Sequence, residues 1–120
     1  MSFDWNEYFT LAQELSQAKG GTRAAHEARL RSAVSRSYYS VFCSARNYLT
    51  RKNVRPPKQE IHMFVKDQYL NSTDTAKRQI GSNLDRLRIY RNKADEGLDN
   101  TAVLHIAMAR MTIDELSKLK

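Results

Sequence analysis

A chain of 120 residues, 41% hydrophobic and with a net charge of +7, is long enough for one domain with a sizeable core. Its single cysteine cannot close a disulfide, no Cys/His grouping has zinc-ligand spacing, and it has neither a bilayer-spanning apolar run nor a basic-then-apolar leader. The expectation is one folded unit over residues 1–120, in the reducing cytoplasm and away from membranes, with no metal or cofactor.

The charge is unevenly placed. Residues 21–60 hold nine of the twenty Lys and Arg (Arg23, Arg29, Arg31, Arg36, Arg46, Arg51, Lys52, Arg55 and Lys58) against two acids, Glu27 and Glu60, while the rest of the chain balances. Such a segment attracts a polyanion through its long-range field and through counterion release, or serves only as a solvated face.

A first helix is predicted to start at Asp4, with Glu7 completing a capping box. Its stripe is Tyr8, Leu11, Leu15 and Ala18, with Trp5, Phe9 and Ala12 alongside, and Gly20-Gly21 ends it. Thr22 caps a long second helix that runs to about Lys52. At 100° per residue Leu30, Val34, Tyr38, Val41, Ala45, Tyr48 and Leu49 share one face, flanked by the small residues Ala33, Ser37, Ser40 and Ser44. The opposite edge carries Arg29, Ser32, Arg36, Cys43 and Asn47. Tyr38 belongs to the packed face, so its hydroxyl needs a partner.

Pro56 and Pro57 break the second helix, and Pro57 suits the first turn of a third, Lys58 to Leu70, with Ile61, Phe64, Val65 and Tyr69 inward. After a stop at Asn71–Asp74, a fourth helix spans about Thr75 to Asp95 with Ala76, Ile80, Leu84, Leu87 and Ala94 inward. Asp99-Asn100-Thr101 caps a fifth, whose stripe is Ala102, Ile106, Ala109, Ile113 and Leu116. No segment alternates as a strand. The fold class is all-α, an up-and-down bundle of four long helices plus one shorter helix.

Arg91 falls within about 20° of Leu84, inside the apolar stripe of the fourth helix. A guanidinium there must reach solvent, pair with a carboxylate such as Asp95 four residues on, or line a wet groove with Asn92 and present donors to phosphate. Arg36, with Arg29 on the polar edge of the second helix, is the matching candidate there; an ion pair to Asp85, Asp95 or Asp99 is its alternative. Tyr39 is placed to stack a base or to pack at the edge. His62 is a candidate ligand contact or a satisfied, half-buried histidine, and His26 and His105 are surface or packing residues.

Arg36-Ser-Tyr-Tyr-Ser-Val-Phe on the long helix, together with Leu87-Arg-Ile-Tyr-Arg-Asn-Lys-Ala-Asp95 on a later one, resembles the HEPN superfamily. The likeness covers residues 22–117 and is nearest to small stand-alone prokaryotic members encoded beside minimal nucleotidyltransferases; His62 also matches a histidine seen at that place. The resemblance implies a bundle that forms a homodimer with a basic cleft, where active members cut RNA without metal using an arginine, a following polar residue and a histidine four to six residues further on. Arg91 and Asn92 match the first two, but Asp95, Glu96, Gly97 and Leu98 stand where the histidine is needed. The tyrosine that follows it in members modified by their nucleotidyltransferase is absent too.

The expectation is therefore a HEPN-like protein that binds RNA or a nucleotide without transforming it, as one half of a toxin–antitoxin or nucleotidyltransferase pair. Its ligand-binding residues would be Arg29, Arg36, Tyr39, His62, Arg91, Asn92 and Asp95, with Arg36 close to Arg91 and Asn92. The alternatives are a weak metal-independent endoribonuclease using Arg91 and Asn92, and a module whose protein-interaction surface is its whole role.

Overall fold

The computed structural model describes residues 5–18, 20–93 and 101–120, and among these every regular element is a helix. They are α1 (Trp5–Gln17), α2 (Arg23–Arg51), α3 (Ile61–Leu70), α4 (Thr75–Lys93) and α5 (Thr101–Ser117). All five contribute to one apolar core, from Phe9 of α1 through Tyr38, Val41 and Phe42 of α2 to Val65, Leu84 and Ile113. The chain is an all-α helical bundle.

The long helix is its axis. Thr22 Oγ1 accepts from the Ala25 backbone N–H at 3.1 Å, the expected cap, and Val34, Tyr38, Val41, Ala45, Tyr48 and Leu49 are all buried. Leu30 is only half-buried. Ser37 and Ser40 are sealed in the core because their hydroxyls donate to the carbonyls of Ala33 and Arg36, each at 2.8 Å, leaving a thin polar-satisfied surface for neighbouring helices. Cys43, on the polar edge by its wheel angle and expected to be a small buried or half-buried residue, is in the core, and burial pushes its thiol up to about 11. On the wheel it lies between Ser32 and Arg36, about 20° from each; those two are half-buried nearer the start of the helix, while the segment around Cys43 is packed over more of its girth.

Helices α1, α2, α4 and α5 alternate in direction. Lys77 near the start of α4 lies by Tyr48 near the end of α2, and Arg91 near the end of α4 lies by Tyr38. Helix α3 runs the other way from α4 and parallel to α2, since His62 meets Tyr38 and the Tyr69 hydroxyl donates to the Ala45 carbonyl at 2.9 Å. The Pro-containing segment 52–60 makes this possible by returning along the flank of α2 before α3 begins.

That segment is longer than expected. Helix α3 starts at Ile61, not Lys58, behind Glu60, whose backbone is left-handed at φ 54°, ψ 37°. Two inward assignments also shift. Leu11 is 40% exposed while Phe9 and Ala12 are buried, so α1 docks on the neighbouring face, and Ala76 is exposed in the first turn of α4, ahead of the packed segment. The expected caps and terminators at Asp4, Gly97 and Asp99–Asn100 lie outside the described residues, as does Ala94.

The end of α3 packs tightly against α4 at Gly81, where a Cβ would stand 2.8 Å from the Leu70 backbone nitrogen. Glycine is required there by space and not by dihedral angle. Helices α4 and α5 are joined by a polar chain that runs from exposed Gln79 into the core: Gln79 Nε2 donates to Asn83 Oδ1 at 3.0 Å, Asn83 Nδ2 to Thr112 Oγ1 at 3.1 Å, and Thr112 Oγ1 to the Met108 carbonyl at 2.8 Å.

Candidate functional site

Tyr38 and Phe42 stand one turn apart on α2, with ring centroids 6.2 Å apart. His62, in the first turn of α3, slides against both. Its ring stacks on Phe42 at 4.1 Å with 24° between planes, and its Nδ1 lies 2.6 Å from the Tyr38 hydroxyl. Helix α4 closes the group from above: the Arg91 guanidinium carbon sits 5.5 Å from the centroid of the Tyr38 ring. Arg46, one turn beyond Phe42, is 5.9 Å from that ring.

The cation expected inside the α4 stripe has thus found an aromatic face. Attraction to the ring quadrupole, worth about 0.5–1 kcal/mol at such a half-exposed position, helps hold the charge at the edge of the core. Among the described residues neither Arg88 nor Arg91 has an acid within ion-pair distance.

The electrostatics follow from this placement. Burial lowers the pKa of His62, and the nearby positive charges of Arg88 and Arg91 lower it further. Burial pushes the Tyr38 phenol up to about 12, against the pull of the same two arginines. Both groups are therefore neutral at physiological pH. The phenol and Nδ1 share one hydrogen bond, and in the tautomer where the phenol donates, the imidazole hydrogen stands on Nε2.

Beside His62 opens a groove of about 350 Å³ lined by Glu60, Ile61, His62, Met63 and Arg88. It offers cationic and imidazole donors, one carboxylate, and the apolar flank of Met63, which is 48% exposed. Tyr39, 40% exposed with its ring tilted 58° to Phe42, stands at the outer edge of the aromatic cluster.

Of the seven expected ligand contacts, His62 and Arg91 come together here, with Tyr39 at the margin. Asn92 is exposed on the last turn of α4, and Asp95 lies outside the described residues. Arg29 serves elsewhere, where its Nη2 donates to the Gly20 carbonyl at 2.6 Å, closing the turn between α1 and α2 that Gly20 and Gly21 make at positive φ. Arg36 donates to Ser32 Oγ at 2.5 Å on its own helix. It is two residues, or about 200°, from Tyr38 on α2, and leaves the helix away from the ring that Arg91 covers. The described contacts do not join Arg36 to Arg91.

Arg88 and Glu60 carry much of the groove and were not among the expected contacts. Arg88 had a signal, being one turn before Arg91 and so on the same side of α4. Glu60 had none beyond being one of two acids in a basic segment.

His105 is a packing residue, 5% exposed. Its Nε2 donates to the Val34 carbonyl at 3.3 Å, its ring lies 4.9 Å from that of Tyr90, and burial lowers its pKa to about 4. Among the described residues no three His, Cys, Asp or Glu side chains converge as metal ligands, and no helix is long and apolar enough to cross a membrane. Compared with protein-family models, curated proteins and solved structures, the chain matches none.

Proposed function

We propose that the protein binds RNA or a nucleotide through the groove between α3 and α4, with Arg88 and Arg91 as phosphate donors and the His62–Tyr38–Phe42 cluster as the wall against which they are held. The observation that carries this reading is the pair of arginines on α4, one turn apart, held beside an aromatic cluster with no acid to neutralise them among the described residues. Two such charges one turn apart repel each other, and an anionic ligand relieves that repulsion. The surrounding basic segment supplies the long-range attraction, and exposed Tyr39 offers a stacking surface. In this reading the chain is a HEPN-like component of a toxin–antitoxin or nucleotidyltransferase pair.

The test is anisotropy titration of a labelled 12-nucleotide RNA against the full chain and the Arg88→Ala and Arg91→Ala variants at two salt concentrations. The expected result is weaker binding in each variant and a salt slope lower by about one for each arginine lost. Unchanged affinity at low salt, with folded variants, refutes it.

A second reading, homodimer formation, draws on a separate observation. Leu104 and Met111 on α5, seven residues apart and so on one side of the helix, are 68% and 62% exposed, and apolar side chains left in water in this way are what a partner surface covers. Sedimentation of the wild type against Leu104→Asp decides it, since a dimer through this face becomes a monomer in the variant.

A further inference from the structure

Glu60 is out of place in a groove built for anions. A carboxylate beside Arg88 and His62 repels phosphate, and it belongs to a segment in which the only other acid, Glu27, is paired with Arg23. No cation lies within ion-pair distance of Glu60 among the described residues. Its backbone is also held in the left-handed region, which a residue with a Cβ adopts at a cost, and such strain collects where a side chain must be aimed. The groove, at about 350 Å³, falls in the range of small-molecule sites.

An acid in such a position is useful if the ligand brings hydrogen-bond donors as well as phosphate. Among the four RNA bases only guanine has two adjacent donors on one edge, N1–H and N2–H, which match the two oxygens of a carboxylate. Adenine and cytosine present one amino group beside an acceptor, and uracil one imino hydrogen between acceptors. The next atom on the guanine edge, O6, is an acceptor, and the groove faces it with the Nε2–H of His62 and with Arg88. Met63 supplies an adaptable, polarisable surface for the base plane. We propose that this groove is a guanine-selecting subsite, with the Glu60 carboxylate accepting from N1 and N2 and His62 or Arg88 donating to O6. The proposal rests on the RNA-binding reading of the same groove and adds to it a base preference.

The test uses three labelled 12-mers that differ at one central position of an otherwise all-adenosine RNA: adenosine, guanosine or inosine, the last lacking the N2 amino group. Each is titrated against the full chain and against Glu60→Gln, an exposed substitution that leaves the core untouched. The expected order in the wild type is guanosine tightest, by about tenfold over adenosine, with inosine between them. In Glu60→Gln the guanosine oligomer falls to the level of the all-adenosine one, whose own affinity does not drop. Equal affinities in the wild type, or a guanosine preference that survives in Glu60→Gln, overturn the subsite while leaving RNA binding intact. If none of the three binds at low salt, the RNA-binding reading fails and the subsite with it.

Discussion

The Tyr38 hydroxyl and His62 Nδ1 lie 2.6 Å apart, joining the central helix to the short third helix across 24 residues of sequence. One bond satisfies a buried phenol, orients the imidazole and braces the wall of the groove. Replacing Tyr38 by Phe keeps the ring under Arg91 and removes only the donor. The expected cost is about 1 kcal/mol in urea unfolding. In nitrogen NMR of His62, the Nε2–H form that dominates the wild type should give way to a mixture of tautomers. A variant with an unchanged tautomer ratio would show that the phenol does not set it.

Gly81→Ala should destabilise, contrary to helix propensity, which by itself favours alanine by about 1 kcal/mol. The new Cβ meets the Leu70 backbone nitrogen at 2.8 Å and the Leu70 Cγ at 2.9 Å, and backbone yields less readily than the end of a flexible side chain. A net loss of about 1–3 kcal/mol in chemical denaturation is expected. A rise in stability would mean that α3 and α4 can separate freely.

The pH dependence of folding has an identifiable source in His105. Its folded pKa of about 4 lies below the ordinary histidine value, so the fold holds the neutral ring. That contribution is complete above about pH 6.5 and is lost as pH falls toward 4, amounting to about 3 kcal/mol. Unfolding free energies at pH 7 and pH 4 should therefore drop further in the wild type than in His105→Leu. His62, also lowered, is present in both proteins and cancels in the comparison.

The polar chain between α4 and α5 should behave as a unit. Asn83→Ala leaves Gln79 and Thr112 without their partner and should cost about 1–3 kcal/mol. Thr112 still has the Met108 carbonyl. The double variant Asn83→Ala/Thr112→Val should then lose less than the two single losses combined, which a double-mutant cycle measures.

RNA should survive incubation with the protein. His62 is the only histidine beside Arg91 among the described residues, but its Nδ1 is engaged by Tyr38, and burial and two arginines weaken it as a base. An EDTA-treated preparation should leave a labelled RNA intact on a denaturing gel after hours at neutral pH. Cleavage lost in His62→Gln would instead assign His62 the proton transfer.

The bundle was legible because long periodic helices report their buried face directly. Every residue assigned to the stripe of α5, from Ala102 to Leu116, is buried, as is the α2 stripe from Val34 onward. Leu11 shows where that logic ends: α1 has apolar residues on two adjacent faces, and only the position of its neighbours chooses between them. Arg91 was recognisable as an anomaly by its angle, and Tyr38 as a hydroxyl needing a partner. Their solutions lay in residues far along the chain, since the Tyr38 partner is His62 and the surface under Arg91 is Tyr38 itself. Glu60 was the least legible, because its importance comes from a return segment whose path periodicity does not describe.

Much of the positive charge rests on aromatic rings: Arg46 on Phe42, Arg91 on Tyr38, Arg110 on Phe9, and Arg51, Lys52 and Lys77 around Tyr48. These contacts act over a few ångströms and partly out of water, so dissolved ions screen them far less than they screen the attraction of a distant polyanion. The bundle should then stay folded in molar salt, conditions under which the proposed RNA complex is expected to come apart.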